Sequence, residues 1–411
     1  MKKTVIIGGG AAGMMAAIRS SVAGHKVILF EKNEKCGKKL FITGKGRCNL
    51  TNACDVSDLF SNVISNPKFL YSSFYGFTNQ DTIAFFESLG LRTKIERGNR
   101  VFPASDKSSD VIRCLERECG RQGVQIMLQT RVSDLIIEGG QVRGVLLSDG
   151  KQVSADRVIL ATGGMSYPST GSTGDGYEMA KKAGHTVTKL RPGLTGIQTR
   201  EELVKELQGL TLKNTAVEIR PEGSKKKCYQ GFGEVLFTHY GVSGPLILSA
   251  SSQIGDKLKQ SPLMLHIDMK PALTTEQLDK RVVSDFEKSS NQSVKNAMVH
   301  LLPKSMIPVI LRQYRLDEAK KVNQLSKEER LRIVNGMKDF TLTLCGLRDW
   351  NEAIITRGGV RVNEVDPATM ESKLVKGLYL AGEILDLDAL TGGFNLQIAW
   401  STGYAAGNQN I

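Results

Sequence analysis

Three glycines near the start of the sequence are spaced as in a dinucleotide-binding turn. Gly8, Gly10 and Gly13 follow an apolar, β-branched run, and a second such run ends on Glu31. In this pattern the glycines permit the turn, let a pyrophosphate approach the backbone, and let a helix pack closely against the sheet. The helix N-terminus offers N–H groups to the phosphates, and the carboxylate can accept hydrogen bonds from a ribose diol. The stretch therefore predicts a nucleotide site, for FAD or for NAD(P).

Two other interpretations of this stretch are weaker. A glycine-rich turn of an unrelated α/β protein does not explain an acidic residue at the expected distance after the turn. Met1-Lys2-Lys3 followed by apolar residues resembles a secretion signal, but the glycines interrupt the apolar run and Arg19 follows it. We therefore expect a cytoplasmic protein.

A basic, glycine-punctuated segment follows the predicted ribose-binding carboxylate. Its residues Arg47, Asn49 and Asn52 could orient a flat heterocycle, and two nearby glycines predict a loop whose backbone approaches a ligand. An ordinary polar loop is the alternative. The position directly after Glu31 favours a contact with the cofactor.

Further glycine-rich stretches follow predicted buried strands. Residues 157–164 end in Ala-Thr-Gly-Gly after a predicted β-meander, and residues 377–383 form a second strand that ends on Glu383. Residues 391–397 then open the last helix. Glycines at a helix N-terminus let the backbone touch a flavin, and the helix dipole stabilises negative charge on a reduced flavin. This combination favours FAD over a plain NAD dehydrogenase.

Composition limits the class of protein. The 411 residues suffice for two or three domains, and no apolar run approaches the ~20 residues of a membrane-spanning helix. The seven cysteines form no CxxC pair and no metal-ligand spacing with histidine, which is typical of a reducing cytoplasm. We predict neither a metal site nor a membrane partner. The net charge of +13 favours an anionic partner such as RNA, although a solvated basic surface is the alternative.

The middle of the chain changes character twice. From 191 to 273 short β-rich runs predict a small β-barrel, and from 274 to 340 the periodicity becomes helical, beginning with a capping-box pattern at Thr274. Basic residues concentrate in the helical part. They are more typical of a solvated face than of an RNA-binding module, because aromatic residues are not interleaved with them.

Several separate motifs resemble one family. The segment 44–52, together with 100–103, 161–176, 237–245 and 382–397, resembles the BaiN/RdsA (YhiN-like) family of FAD-dependent oxidoreductases. The resemblance implies an α/β fold with a discontinuous, Rossmann-like FAD-binding domain. Its two parts, 1–190 and 341–411, would flank an inserted β-barrel at 191–273 and a small helical bundle at 274–340.

The resemblance also implies tightly bound FAD. Added to Gly10, which the spacing of the turn predicts, the implied cofactor contacts are Gly8, Ala11, Ala12, Gly13, Glu31, Lys32, Lys38, Arg47, Asn49, Val132, Ala161, Thr162, Gly163, Gly382, Glu383, Gly393, Phe394 and Asn395.

Families of this type are associated with reduction of enones in steroid-like acids, oxidation of a small aminoketone and reduction of uridine in ribosomal RNA. Reduction needs hydride transfer at the flavin and a proton donor. The candidate donors are His239, Tyr240, Tyr167 and Cys48. With no second complete GxGxxG unit, NAD(P)H would visit the flavin transiently.

The basic charge favours a ribosomal RNA substrate. A small-molecule flavoenzyme and a non-enzymatic, flavin-bearing RNA-binding protein are the alternatives. The sequence makes no prediction about the oligomeric state.

Overall fold

The structure is a computed structural model that describes residues 1–408. It divides into two compact units. The first contains Met1–Gly193 and the chain from Trp350 onward, and the second contains Leu194–Asp349.

The strands of the two units are β1 Lys3–Ile7, β2 Lys26–Phe30, β3 Thr51–Asn52, β4 Thr93–Glu96, β5 Arg100–Pro103, β6 Gln125–Met127, β7 Val132–Glu138, β8 Gln141–Leu147, β9 Gln152–Ser154, β10 Arg157–Leu160, β11 Arg191–Gly193, β12 Ile197–Thr199, β13 Thr211–Pro221, β14 Tyr229–Thr238, β15 Gly241–Ser243, β16 Leu263–Asp268, β17 Phe340–Leu347, β18 Ile355–Arg357 and β19 Leu378–Leu380. The α-helices are α1 Ala11–Val22, α2 Lys38–Gly46, α3 Val56–Ser61, α4 Tyr71–Gly76, α5 Asn79–Ser88, α6 Ser108–Arg121, α7 Asp175–Lys182, α8 Pro245–Leu258, α9 Thr275–Glu287, α10 Val294–Ala297, α11 Met306–Gln313, α12 Lys327–Lys338 and α13 Phe394–Gly407.

A parallel sheet forms the centre of the first unit. Its five strands lie in the order β19-β10-β1-β2-β6. Val5, Ile6, Val158 and Ile159 are fully buried, as expected of strands that are covered on both faces. The order of the strands runs outward in two directions from β1. Ligands of such sheets bind at the carboxyl ends of the strands near this reversal, so the residues that follow β1, β2, β10 and β19 define the site.

The first and last long helices of this unit pack against each other through small residues. A β-carbon on Gly403 would lie 2.5 Å from the carbonyl oxygen of Ala12, and one on Gly407 would lie 2.6 Å from that of Ala16. Helix α13 is buried along nearly its whole length, and Trp400 donates its indole N–H to the carbonyl of Leu50 at 2.9 Å. Close helix contact therefore holds the glycine turn that precedes α1.

Three smaller antiparallel sheets, one of them the pair β11 and β18, complete the first unit as the structure describes it. Strands β7, β8 and β9 form a meander, which confirms the sequence prediction for this region, and β3, β5 and β4 form a second sheet. Within residues 1–408, none of the helices is both long and apolar enough to cross a bilayer.

The second unit contains a closed barrel and a group of helices. The barrel order is β12-β15-β14-β13-β16-β17, and α9 to α12 lie between β16 and β17 in sequence. The capping box predicted at the start of α9 is present, with Thr274 and Gln277 exchanging hydrogen bonds. Helix α8 was not predicted and also lies within the 191–273 segment.

The last barrel strand lies beyond the predicted end of the insert. Phe340, Leu342 and Leu344 alternate along β17 and are fully buried, because this strand pairs with β16 and β12 and closes the barrel. The second unit therefore ends at Asp349, whereas the sequence placed the return to the first domain at 341.

Candidate functional site

The glycine turn combines two positions fixed by packing with one that is open. Gly8 has a φ of +107°, and a β-carbon there would lie 2.5 Å from the carbonyl oxygen of Ala161. A β-carbon on Gly13 would meet the carbonyl oxygen of Gly8. At Gly10 no atom lies within 4 Å of the same position, and Gly10 caps α1 without a side-chain hydrogen bond. The N–H groups of the first turn of α1 are therefore available to a ligand.

The carboxylate of Glu31 is buried beside this turn. Its Oε2 accepts a hydrogen bond from the Gly9 N–H at 2.8 Å, and its Oε1 accepts from the backbone and side-chain nitrogens of Asn33 at 2.8 and 2.7 Å. A carboxylate offers about four acceptor sites, so capacity remains for a ligand hydroxyl. The backbone of Glu31 also accepts from Thr130 N–H at 2.9 Å, close in sequence to Val132. The sequence did not predict Asn33 as a site residue.

The predicted contacts Lys32 and Lys38 both have carboxylate partners. Lys32 lies 2.9 Å from Asp175, and Lys38 lies 3.3 Å from Glu34. Burial disfavours the charged form of Asp175, but the hydrogen bond and the charge of Lys32 lower its pKa overall. Lys32 therefore joins the end of β2 to the start of α7.

Arg47 and Asn49 lie on the segment that follows a kink in α2. Arg47 donates to Glu96 at 2.9 Å, and its guanidinium lies 4.1 Å from the centre of the Phe102 ring. The side-chain oxygen of Asn49 and the hydroxyl of Thr162 are buried and have no hydrogen-bond partner among the described residues. Buried polar atoms are costly without a partner, so these two atoms fit a site that receives a polar ligand.

Four residues that meet near the ends of β10 and β19, Lys39, Ser166, Thr356 and Glu383, form what we call the Lys39–Glu383 cluster. Both carboxylate oxygens of Glu383 accept from Lys39 Nζ, at 2.8 and 2.6 Å. Its Oε1 also accepts from Ser166 Oγ at 3.0 Å and from Thr356 N–H at 2.8 Å. Of these four residues, only Glu383 was predicted as a site residue. Lys39, Ser166 and Thr356 are distant from Glu383 in the sequence.

The last predicted segment is held by its own packing. A β-carbon on Gly393 would lie 2.4 Å from the carbonyl oxygen of Thr51, and Phe394 is buried. The side chain of Asn395 accepts from Ala389 N–H at 3.0 Å and donates to the Ala389 carbonyl at 2.8 Å. The side chain of Asn395 thus shapes the loop before α13.

The four candidate proton donors have different surroundings. Tyr167, in the first unit, is half-buried and has a φ of +52°. Burial, and to a smaller extent Glu352, raises its pKa above 10.0. Cys48 is fully buried, and burial raises its pKa to about 12. A thiol without exposed surface cannot reach a substrate, so Cys48 is a core residue.

His239 and Tyr240 belong to the second unit. They form the turn between β14 and β15, with their rings packed edge to face at 5.0 Å. His239 is exposed, and the guanidinium of Arg348 lies 4.5 Å from the centre of the Tyr240 ring. Within the described residues, no group of three His, Cys, Asp or Glu side chains is placed to hold a metal ion.

The first unit therefore brings the glycine turn, Glu31 and the Lys39–Glu383 cluster to one edge of one sheet. The open position at Gly10 and the buried hydroxyl of Thr162, which follows β10, both lie at this edge and fit a polar ligand there. Comparison of the whole sequence gives the family, because residues 2–409 match the model of the HI0933-like protein Rossmann domain. The chain belongs to this family.

Curated relatives of this HI0933-like chain extend over nearly its whole length. It is 34% identical to the 3-dehydro-bile acid delta(4,6)-reductase of Clostridium scindens, covering 99% of this chain and 98% of the relative. It is 30% identical to the ribosomal RNA dihydrouridine synthase of Haemophilus influenzae, covering 98% and 97%. These relatives are flavin-type oxidoreductases. The HI0933-like chain is therefore one as well, and this class supports FAD as its cofactor.

A solved quinol-fumarate reductase with menaquinol molecules shares the fold. Its TM-score is 0.51 at 16% identity, and the match covers 99% of this chain and 71% of that one.

Proposed function

We propose that this chain is an FAD-dependent reductase that uses NAD(P)H to saturate a carbon–carbon double bond conjugated to a carbonyl group. The observation that carries the proposal is the open Gly10 position at the N-terminus of α1, next to the buried carboxylate of Glu31. The names of the two curated relatives describe such a saturation, one in a bile acid and one in uridine.

We assign a part of FAD to each group of residues. The N–H groups that follow Gly10, on Ala11 and Ala12, would bind the pyrophosphate, and Glu31 would accept from the ribose. The backbone of Val132 would contact the adenine. When bound, FAD supplies the hydride transfer.

Among the described residues, the side-chain oxygen of Asn49 and the hydroxyl of Thr162, which follows β10, are two buried polar groups that need a partner. They would orient the ligand, while the backbones of Gly163, Gly382 and Gly393 would contact its far end.

Tyr167 is the donor that we propose for the proton. A tyrosine phenol is protonated at neutral pH with or without the rise in pKa that burial causes here, so Tyr167 can donate a proton. It directly follows Ser166, which belongs to the Lys39–Glu383 cluster. His239 and Tyr240 are the alternative donors that the sequence predicts.

Uridine in ribosomal RNA is the substrate that we favour. The net charge of +13 suits a polyanion, and two dihydrouridine synthases are each 30% identical over nearly the whole chain. Its place of action would be the cytoplasm. An unsaturated, steroid-like acid is the second candidate, supported by the 34% identity with the bile acid reductase. Both substrates present an alkene conjugated to a carbonyl.

The test uses the purified chain under argon with FAD. NADPH or NADH should bleach the flavin absorbance, and added ribosomal RNA that lacks dihydrouridine should restore it while dihydrouridine appears in the nucleoside digest. Reoxidation by a conjugated steroid enone but not by RNA would reject the RNA substrate and retain the reaction class. A protein that binds no FAD, or whose flavin neither nucleotide reduces, would overturn the proposal.

A further inference from the structure

Lys39 stands where helix electrostatics disfavours a cation. It is in the first turn of α2, which contains no acidic residue, and the N-terminus of a helix carries partial positive charge. The start of this helix is fixed, because Gly37 N–H donates to the Gly9 carbonyl at 2.9 Å and a β-carbon on Gly37 would lie 2.8 Å from Ile112. A rigid link to the glycine turn thus sets the position of the lysine. Residues that break a local rule in this way are expected at functional sites.

Glu383 is largely committed to protein donors. Its carboxylate receives Lys39 Nζ on both oxygens, and Ser166 Oγ and Thr356 N–H on Oε1. Three of these contacts fall on Oε1 and one on Oε2, so of the roughly four acceptor sites of a carboxylate only one, on Oε2, has no partner among them. Most of the hydrogen bonding of Glu383 therefore serves to hold Lys39 and its neighbours in place.

The cluster lies on the opposite side of β1 from Glu31. Glu31 follows β2, whereas Ser166 and Glu383 follow β10 and β19, on the other flank of β1. A dinucleotide whose ribose binds Glu31 and whose pyrophosphate lies at Gly10 would direct its other half toward the cluster. A β-carbon on Gly163 would lie 3.7 Å from Glu383 Oε2, an ordinary contact distance, so the loop after β10 runs next to this carboxylate.

We propose that Lys39 is the cation that offsets the negative charge gained by FAD on reduction, and that Glu383, Ser166 and Thr356 are positioning residues for it. This inference rests on the proposed binding of FAD. Lys39 Nζ donates to both oxygens of Glu383 and to Ser166 Oγ, at 2.5 Å for the hydroxyl, so its three N–H groups are engaged within the cluster. The lysine would therefore act on the flavin as a fixed positive charge, through the electric field and not through a hydrogen bond.

Three variants separate charge from structure. Lys39→Met removes the positive charge and keeps the negative charge of Glu383. Glu383→Gln removes the negative charge and keeps the positive charge of Lys39. The double variant K39M/E383Q has neither charge. Lys35→Met is the matched control. It removes an exposed lysine that lies four residues before Lys39 in the sequence and before the start of α2. Lys39→Arg keeps the charge and tests for rescue.

The measurement is the midpoint potential of the bound FAD, from equilibration with redox dyes, together with the dissociation constant of sulfite, an anion that bleaches oxidised flavins. K39M should lower the potential and weaken sulfite binding by about tenfold or more, because an unpaired negative charge remains nearby. E383Q should shift both quantities in the opposite direction. The double variant should return toward the wild type, and K35M should match it.

Equal potentials and sulfite affinities in K39M, E383Q and the wild type, with FAD bound in all of them, would overturn this inference and leave the proposed cofactor intact. A wild-type protein that binds no FAD would instead overturn the proposed function. If K39M loses its flavin, the potentials of E383Q and K39R still test the inference, because an unshifted potential in E383Q contradicts it.

Discussion

Gly13 lies so close to Gly8 that a β-carbon on Gly13 would stand 1.9 Å from the Gly8 carbonyl oxygen. The third glycine of the turn is therefore required by the contact between helix and strand, with or without a ligand. Gly10 differs, because its β-carbon position is open and its φ of −83° suits any residue. The same motif thus contains a glycine that packing requires and one that we propose lets a ligand approach, and substitution can separate the two.

Gly13→Ala should destabilise the apoprotein by about 3 kcal/mol or more, because the backbone of α1 must move away from β1. Gly10→Ala should leave the apoprotein equally stable or stabilise it by about 0.4–1 kcal/mol, yet weaken FAD binding by about tenfold or more. Urea unfolding of the apoproteins and FAD titration provide the two measurements. Unchanged FAD affinity in G10A would contradict the assigned pyrophosphate position.

Glu31→Gln should weaken FAD binding by about 10- to 100-fold, because the amide replaces one acceptor oxygen by a donor that opposes the N–H groups of Gly9 and Asn33. Equilibrium dialysis against FAD measures the change. Glu34→Gln, on an exposed neighbour paired with Lys38, is the control and should retain the wild-type affinity. If both variants bind FAD equally well, Glu31 has no role in the nucleotide site.

Arg357→Met should cost about 3–5 kcal/mol of folding free energy. Asp388 is fully buried, and its Oδ2 receives Arg357 Nε at 3.2 Å, so the variant leaves an uncompensated buried carboxylate. Arg361→Met, at an exposed position nearby in sequence, should change stability by less than about 0.5 kcal/mol. Equal midpoints in urea for the two variants would show that the buried pair is not needed for stability.

Two buried histidines should make the folding free energy decrease at acidic pH. Burial, helped by Arg157, lowers the pKa of His25 below 6.5, and burial lowers that of His185 despite the neighbouring Glu364. The unfolded chain therefore binds more protons than the native one as the pH falls below about 7. Stability should be fully present above pH 6.5 and fall toward pH 5, by up to about 1.4 kcal/mol per pH unit for each histidine.

Urea unfolding at several pH values measures this slope. The double variant H25N/H185N should flatten it, whereas His300→Asn, at an exposed site, should not. A slope between pH 7 and 5 that the double variant leaves unchanged would assign the acid sensitivity to other groups.

Local patterns predicted most of the first unit. The turn that precedes α1, the meander of β7 to β9 and helix α13 each carry their signal within a few neighbouring residues, as glycine spacing, alternation or a glycine before an apolar helix. The capping box at Thr274 is equally local. Such features depend on chain geometry that sequence neighbours determine.

The cluster around Glu383 could not be predicted in this way. Lys39 is 344 residues away from Glu383 in sequence and 127 from Ser166, so only the order of the strands brings them together. Strand β17 was missed for a related reason: its pairing partner β16 precedes four helices. Tertiary pairing of distant segments determines both features.

The contact between α1 and α13 joins parts of the chain that the ribosome makes at different times. Residues that cover Ala12 and Ala16, at Gly403 and Gly407, are translated last among the described elements, as are the strand β19 and the loop that carries Glu383. A nascent chain therefore presents an incomplete sheet with one face of its first helix bare, while all strands of the barrel, within 197–347, have already been made. Because every barrel strand precedes β19 and α13 in the chain, the barrel strands of the inserted unit can pair before the parallel sheet of the first unit is complete.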